Sequence, residues 1–152
     1  MTTLVPQNMI VGGPAFSAYL SSNQSVSSGV FTKVACNTEE FDTNSNYDNA
    51  TNYRFTPTVA GYYQVNGSVN FTGTGTRTDY LASIYKNGTE FKRGNYTNIS
   101  NANNDNATVS ALIYFNGSTD YVELYAYQTQ TTPSFGGGVW LTYFQGILVR
   151  AA

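Results

Sequence analysis

The chain has 152 residues, of which only 11% are charged, and its formal net charge is −2. This length suits one domain, and the small negative charge excludes a basic surface for nucleic acid or for an acidic membrane. The sequence holds no histidine and one cysteine, so it lacks the commonest general base and excludes an intramolecular disulfide or a multi-cysteine zinc site.

Residues 1–13 are predicted to be a segment of their own, because the run is apolar and ends at the break Gly12-Gly13-Pro14. An exposed apolar segment needs a cover, so we interpret it as an extended arm that docks on a neighbouring protein; a frayed terminus is the alternative. The rest, residues 14–152, is predicted to be one domain. The attachment residues of the arm are predicted to be Leu4, Val5, Met9, Ile10 and Val11.

Beyond the arm, apolar and polar residues alternate with a period of two, which is typical of half-buried strands. No sustained apolar stripe with a helical period is present, so an all-β sandwich or barrel is predicted. Asn-Gly at residues 87–88 predicts a tight type I′ hairpin turn. The predicted strands lie near residues 14–20, 29–35, 53–58, 61–72, 78–86, 89–93, 107–115, 120–128 and 139–149.

Two predicted strands, 78–86 and 139–149, are apolar on both faces. In the second, Trp140, Phe144 and Leu148 are assigned to one face, and Leu141, Tyr143, Ile147 and Val149 to the other. A two-layer sandwich covers only one face of a strand, so another copy of the chain is predicted to cover the second; a loop of the same chain is the alternative. The candidate subunit-interface residues are Tyr62, Leu112, Leu141, Tyr143, Ile147 and Val149.

Few residues are suited to catalysis. Glu39, Glu40 and Asp42 form the one dense acidic cluster, which we interpret as a solvated loop rather than as the paired carboxylates of a glycosidase. A calcium site built on loop acids such as Asp42, Asp48 or Asp105 is the alternative use of these groups. Cys36 is predicted to be a small buried apolar residue. We therefore predict a protein that is not an enzyme and has no cofactor and no metal.

Three tyrosines, Tyr121, Tyr125 and Tyr127, alternate along one face of the strand predicted at 120–128. Tyrosine combines a broad apolar ring with a polar tip, which suits a ligand-binding surface. The sequence therefore marks these rings as a candidate surface for host glycans. The alternative is that they pack against neighbouring strands or at the subunit interface.

Several short motifs follow one another in a characteristic order between residues 15 and 149. They are Ala15-Phe16-Ser17-Ala18, then Phe31, Val34 and Asn37, Tyr47-Asp48 before Phe55-Thr56, Val59-Ala60-Gly61-Tyr62-Tyr63, Ile84-Tyr85-Lys86-Asn87-Gly88 and Phe144-Gln145-Gly146-Ile147-Leu148. With these motifs, residues 15–149 resemble the globular head domain of complement component 1q, in the superfamily that also contains tumour necrosis factor. The resemblance implies a ten-strand jelly-roll sandwich that assembles as a tight trimer with a recognition or structural role. The sequence departs from the family at residues 117–122, where extra residues stand in a turn.

The sequence lacks the family's collagen stalk and cysteines, and no signal peptide or membrane-spanning run is recognised. We expect synthesis in a host cytoplasm, no secretion and no membrane insertion. Similar domains occur in tailed phages, so the predicted function is a homotrimeric structural protein on the virion surface. The specific prediction is a capsid decoration or cement protein whose arm binds another virion protein, such as the major capsid protein. The alternative is a glycan-binding knob of a phage fibre or a lectin-like adhesion module.

Overall fold

The computed structural model describes residues 12–101 and 105–152, and within these ranges every regular element is a strand. The arm residues Leu4, Val5, Met9, Ile10 and Val11 lie outside the described residues. The described strands are Ala15–Tyr19 (β1), Gln24–Ser25 (β2), Thr32–Lys33 (β3), Thr38–Asp42 (β4), Tyr47–Asp48 (β5), Arg54–Phe55 (β6), Gly61–Thr74 (β7), Arg77–Lys86 (β8), Thr89–Asn101 (β9), Asp105–Phe115 (β10), Val122–Gln128 (β11), Thr132–Gly136 (β12) and Tyr143–Ala151 (β13).

The strands form two antiparallel sheets. In the first, here called sheet A, the order is β4-β1-β13-β7-β10, and the short strands β12 and β2 continue beside β7 where β13 has ended. In the second, sheet B, the order is β5-β6-β11-β8-β9, with β3 also paired to β11. The predicted all-β jelly-roll sandwich is confirmed, with five strands in each sheet and three additional short strands.

An aromatic cluster fills the space between the sheets. The ring of Phe16 stacks on Phe55 at 4.3 Å and on Tyr47 at 5.0 Å between centroids, and meets the edge of Phe144 at 5.1 Å. Cys36 is fully buried nearby, as predicted, and burial raises the pKa of its thiol to about 12. Such a thiol stays protonated and unreactive near neutral pH, so Cys36 is a packing residue.

The tight turn predicted at Asn87-Gly88 is present between β8 and β9. Asn87 and Gly88 both have positive φ, 53° and 77°, as a type I′ turn between β8 and β9 requires. A second glycine, Gly67, lies inside β7, where an added Cβ would come within 2.5 Å of a Leu124 methyl group in sheet B. The strand therefore needs glycine there because the opposite sheet approaches closely.

The last strand begins later than predicted. It runs from Tyr143, and both Trp140 and Leu141 lie in the preceding turn, so grouping them with the strand faces is wrong. Gly138 has φ 143°, and its carbonyl accepts hydrogen bonds from the amides of Leu141 and Thr142. This turn breaks the extended chain although the apolar alternation continues through it. As a result Trp140 is 77% exposed instead of facing the core.

Two further predictions are corrected by the packing. The acidic cluster at residues 39–42 is not a loop but belongs to the edge strand β4, whose charges suit an unpaired sheet edge. In β8 the second apolar face is covered by the same chain: Leu81 is buried, and the ring of Phe31 packs against Tyr85 at 6.3 Å. For this strand the alternative cover, a loop of the same chain, is the correct one.

Candidate functional surfaces

The outward face of sheet A carries a group of exposed apolar side chains at one end. Pairing of β7 with β10 places Tyr62 opposite Tyr114, with the rings 5.4 Å apart, and Gln64 opposite Leu112. Pairing of β7 with β13 places Ile147 on the other side of Gln64. The resulting surface, the apolar patch, has members that are each 44–58% exposed and consists of Tyr62, Leu112, Tyr114, Ile147 and Val149.

Away from Arg150, the outward face of β7, β10 and β13 beside the apolar patch is polar but uncharged. The amide of Gln64 donates to Ser110 Oγ at 2.8 Å, and Ser110 Oγ donates to Asn66 Oδ1 at 2.8 Å, so these side chains lie along the sheet. Depletion of charge is typical of the centre of a protein interface. The bulge in β13 places the exposed, charged Arg150 opposite Tyr62 on this face. The uncharged outward residues of β7, β10 and β13 include Tyr62, Gln64, Asn66, Ser68, Asn106, Thr108, Ser110, Leu112, Tyr114, Tyr143, Gln145, Ile147 and Val149.

The face also contains a shallow hollow next to the apolar patch. Ala15 is a small residue on β1, between Phe41 of β4 and Ile147 of β13, and this leaves an open depression of about 140 Å³. Phe41 is 51% exposed at its rim. Together, rim and hollow make a surface with relief, which favours docking of a complementary protein side chain over plain solvation.

Most of the predicted interface residues come together here. Tyr62, Leu112, Ile147 and Val149 all belong to the apolar patch, and Tyr143 lies half-buried at the other end of the same face. Leu141 is the exception, since it lies half-buried in the turn before β13. Sequence reasoning missed two residues of this face, Tyr114 and Phe41. Tyr114 follows Leu112 by two positions in a regular alternation, which was a usable signal, whereas Phe41 stands among acids that suggested a loop.

The tyrosine surface, formed by Tyr121, Tyr125 and Tyr127, lies on the outward face of sheet B. Its rings pack against other side chains of the same chain. Tyr125 stacks on Tyr85 with centroids 4.0 Å apart, and Tyr127 packs against Phe31 at 5.2 Å. Tyr121 lies before β11 instead of on it, and the guanidinium of Arg54 covers its ring at 4.5 Å. This arrangement matches the alternative interpretation, in which the tyrosines pack against neighbouring elements.

An ion pair also lies on the outward face of sheet B. Lys33 Nζ lies 2.5 Å from Glu123 Oε1, and the Glu123 side chain is almost fully buried. Burial, together with the negative charge of Glu123, raises the pKa of the Tyr125 hydroxyl. The charges of Lys33 and Glu123 therefore compensate each other within the sheet.

Asp48 and Asp42 are committed to local structure. Asp48 accepts hydrogen bonds from the amides of Ala50, Thr51 and Asn52, and these bonds lower its pKa to about 2. Asp42 similarly accepts the amide of Tyr47 at 2.7 Å. Within residues 12–101 and 105–152, no group of three or more metal-ligating side chains is placed to hold an ion. The same ranges contain no helix that is long and apolar enough to cross a membrane.

Comparisons with known proteins find relatives of the fold but none of the sequence. No model of a known protein family matches the chain, and no curated protein sequence is similar to it. Solved structures do match. The globular domain of zebrafish complement 1qA aligns with a TM-score of 0.65 and 16% identity, over 91% of this chain and 99% of that one.

Two cytokine structures give the same result. Murine APRIL aligns with a TM-score of 0.64 and 10% identity, over 89% of this chain and 98% of that one. The Eiger tumour necrosis factor of S. frugiperda aligns with a TM-score of 0.58 and 8% identity, over 91% and 95%. At these identities the likeness concerns the fold alone. The chain has the jelly-roll fold shared by the complement 1q globular domain and tumour necrosis factor.

Proposed function

We propose that the protein is a non-enzymatic homotrimer that assembles through the outward face of sheet A. The observation that carries the proposal is the outward face of β7, β10 and β13, on which five large apolar side chains are about half exposed and Arg150 is the one charged residue. A contiguous apolar surface of this kind marks an interaction site in a soluble protein. Only 11% of all residues are charged, but three adjacent strands with a single outward charge, that of Arg150, still form a distinct surface.

A second copy of the chain is the occupant that fits best. The face offers both a raised part, formed by the apolar patch, and a hollow between Phe41 and Ile147. Three copies related by a threefold axis bring the raised part of one against the hollow of the next, which closes a ring. The likeness to complement 1q and tumour necrosis factor domains, which are typically homotrimeric, supports three copies over two.

For the biological role we propose a decoration or cement protein on the surface of a phage virion. The support is compositional: the sequence has one cysteine, no histidine and a high content of uncharged polar residues, and the fold implies structure or recognition rather than chemistry. In this proposal the trimer rests on the capsid, and the apolar arm of residues 1–13 holds it to the major capsid protein. The packed rings of the tyrosine surface favour this role over the alternative, a glycan-binding knob that uses those rings.

The attachment role is tested by deleting residues 2–12. The expected result is a trimer that no longer co-sediments with phage particles lacking the protein, because the apolar contact is lost while sheet A is unchanged. A matched variant keeps the length of the arm but replaces Leu4, Val5, Met9, Ile10 and Val11 by serine, and it should also fail to bind. Full binding by either variant would contradict the role of the arm and leave the trimer proposal standing.

A further inference from the structure

Trp140 is the one tryptophan of the chain and the most exposed large apolar side chain of the described residues, at 77%. Tryptophan is highly buried on average, because leaving its large ring in water forgoes a substantial hydrophobic gain. Neither the apolar patch nor the tyrosine surface includes it. Its exposure therefore needs an explanation of its own.

The turn that carries Trp140 is held firmly. The amide of Gly138 donates to Leu20 O at 2.7 Å, and Thr142 Oγ1 donates to Gly136 O at 2.6 Å while accepting the buried amide of Asn70 at 2.9 Å. A Cβ on Gly137 would lie within 2.6 Å of the Ser22 backbone, so the two segments touch. The ring is thus presented on a fixed base, which lowers the entropy cost of binding a ligand.

Two asparagine side chains accept hydrogen bonds from the backbone of the two segments that form this base. Asn23 uses its Oδ1 to accept the amide of Gly137 at 2.9 Å, and Asn37 uses its Oδ1 to accept the amide of Ser21 at 3.0 Å. Within the described part of the chain, neither asparagine has an acceptor for its own NH₂ group. Both side chains are exposed. Each therefore keeps two hydrogen-bond donors for a ligand.

The two segments that form the base of the ring are polar and without charge, whereas the segment of Asn37 carries Glu39 two residues further on. Residues 20–23 and 136–142 contain no Asp, Glu, Lys or Arg, and the one other exposed large apolar side chain in these two segments is Val139, at 37%. A protein partner needs roughly 800 Å² of complementary surface on each side. An aromatic face beside neutral donors instead matches a neutral sugar, whose CH groups stack on indole and whose hydroxyls accept from amides.

We propose that Trp140, with the Asn23 and Asn37 amides, forms a binding site for a neutral saccharide. The indole supplies the stacking surface, and the two NH₂ groups supply orientation and specificity. The saccharide proposal does not rest on the virion role. Its residues lie outside the apolar patch, although the outward face of sheet A reaches the same turn, where Ser68 Oγ donates to Leu141 O. The site also differs from the tyrosine surface, whose rings are already packed.

The test uses the full chain and its single tryptophan as a reporter. Neutral oligosaccharides built from glucose, galactose or N-acetylglucosamine are titrated while Trp140 emission is recorded, and binding is measured independently by calorimetry. We expect solvent-exposed emission in the free protein and a saturable blue shift with at least one sugar, at a dissociation constant of about 1 mM or below. Absence of saturable binding by every sugar up to about 10 mM would overturn the proposal.

Single substitutions distinguish binding at Trp140 from binding at the tyrosine surface. Trp140→Ala should abolish calorimetric binding while the sedimentation of the protein is unchanged. Asn23→Asp keeps the acceptor for Gly137 but removes the NH₂ donors, and it should weaken binding about tenfold. Phe91→Ala and Tyr125→Ala are the controls and should bind as the parent does. Binding that survives Trp140→Ala, or that is lost in Tyr125→Ala alone, would contradict the assignment, and so would buried-type emission from Trp140 in the free protein.

Discussion

Leu112→Asp is expected to dissociate the trimer into monomers that remain folded. Leu112 is 58% exposed on β10 within the apolar patch, so an aspartate there is solvated in a monomer. In the trimer the same carboxylate would be buried among apolar side chains, which costs several kcal/mol for each subunit. Because the penalty is incurred three times, the equilibrium should shift entirely to monomer at micromolar concentration. Sedimentation velocity measures the shift, and circular dichroism confirms that the fold is retained.

A matched control shows whether dissociation depends on which sheet carries the introduced charge. Phe91→Asp introduces the same charge at a comparably exposed side chain, 42%, on β9 of sheet B. It should leave the trimer intact, whereas Ile147→Asp, on the proposed face, should behave like Leu112→Asp. Dissociation by Phe91→Asp with retention of the trimer by Leu112→Asp would move the interface to sheet B.

Phe16→Ala is expected to cause the largest loss of stability among single core substitutions. The Phe16 side chain is 1% exposed and its ring contacts three other aromatic rings, so truncation leaves a cavity that links both sheets. Losses for buried phenylalanines are about 3–5 kcal/mol. In a chain of this size that corresponds to roughly 6–20 °C in Tm. Urea unfolding at one fixed protein concentration gives the free energy, since assembly makes apparent stability concentration-dependent.

Phe91→Ala is the control for this measurement too. The side chain is substantially exposed, and its removal should change the free energy of unfolding by no more than about 0.5 kcal/mol. If Phe16→Ala cost less than about 1 kcal/mol, the aromatic cluster would not be the centre of the core.

The long strands β7 and β10 were predictable because each has one face that is mainly buried and one that is mainly solvated. The alternation of Val65, Val69 and Phe71 on β7, and of Val109 and Ile113 on β10, follows directly from that environment. Short strands carry no such signal. β4 is held by pairing with β1, and its acids are compatible with a strand only because its outer edge is free.

The residues of the candidate surfaces were likewise predictable in part. Ile147 and Val149 were predicted from two-faced alternation, and the structure leaves both side chains exposed on sheet A. The same reasoning failed for β8, because the cover of its second face comes from Phe31, far away in the sequence. Trp140 was misplaced because apolar alternation continued through a turn set by Gly138. The run of three glycines before it was the available signal.

Sedimentation equilibrium of the unmodified protein at micromolar concentration tests the trimer most directly. The account predicts a single species with three times the 16.6 kDa mass of the chain. A stable species of 16.6 kDa over that range would contradict it, because the apolar patch of sheet A would then remain in contact with water.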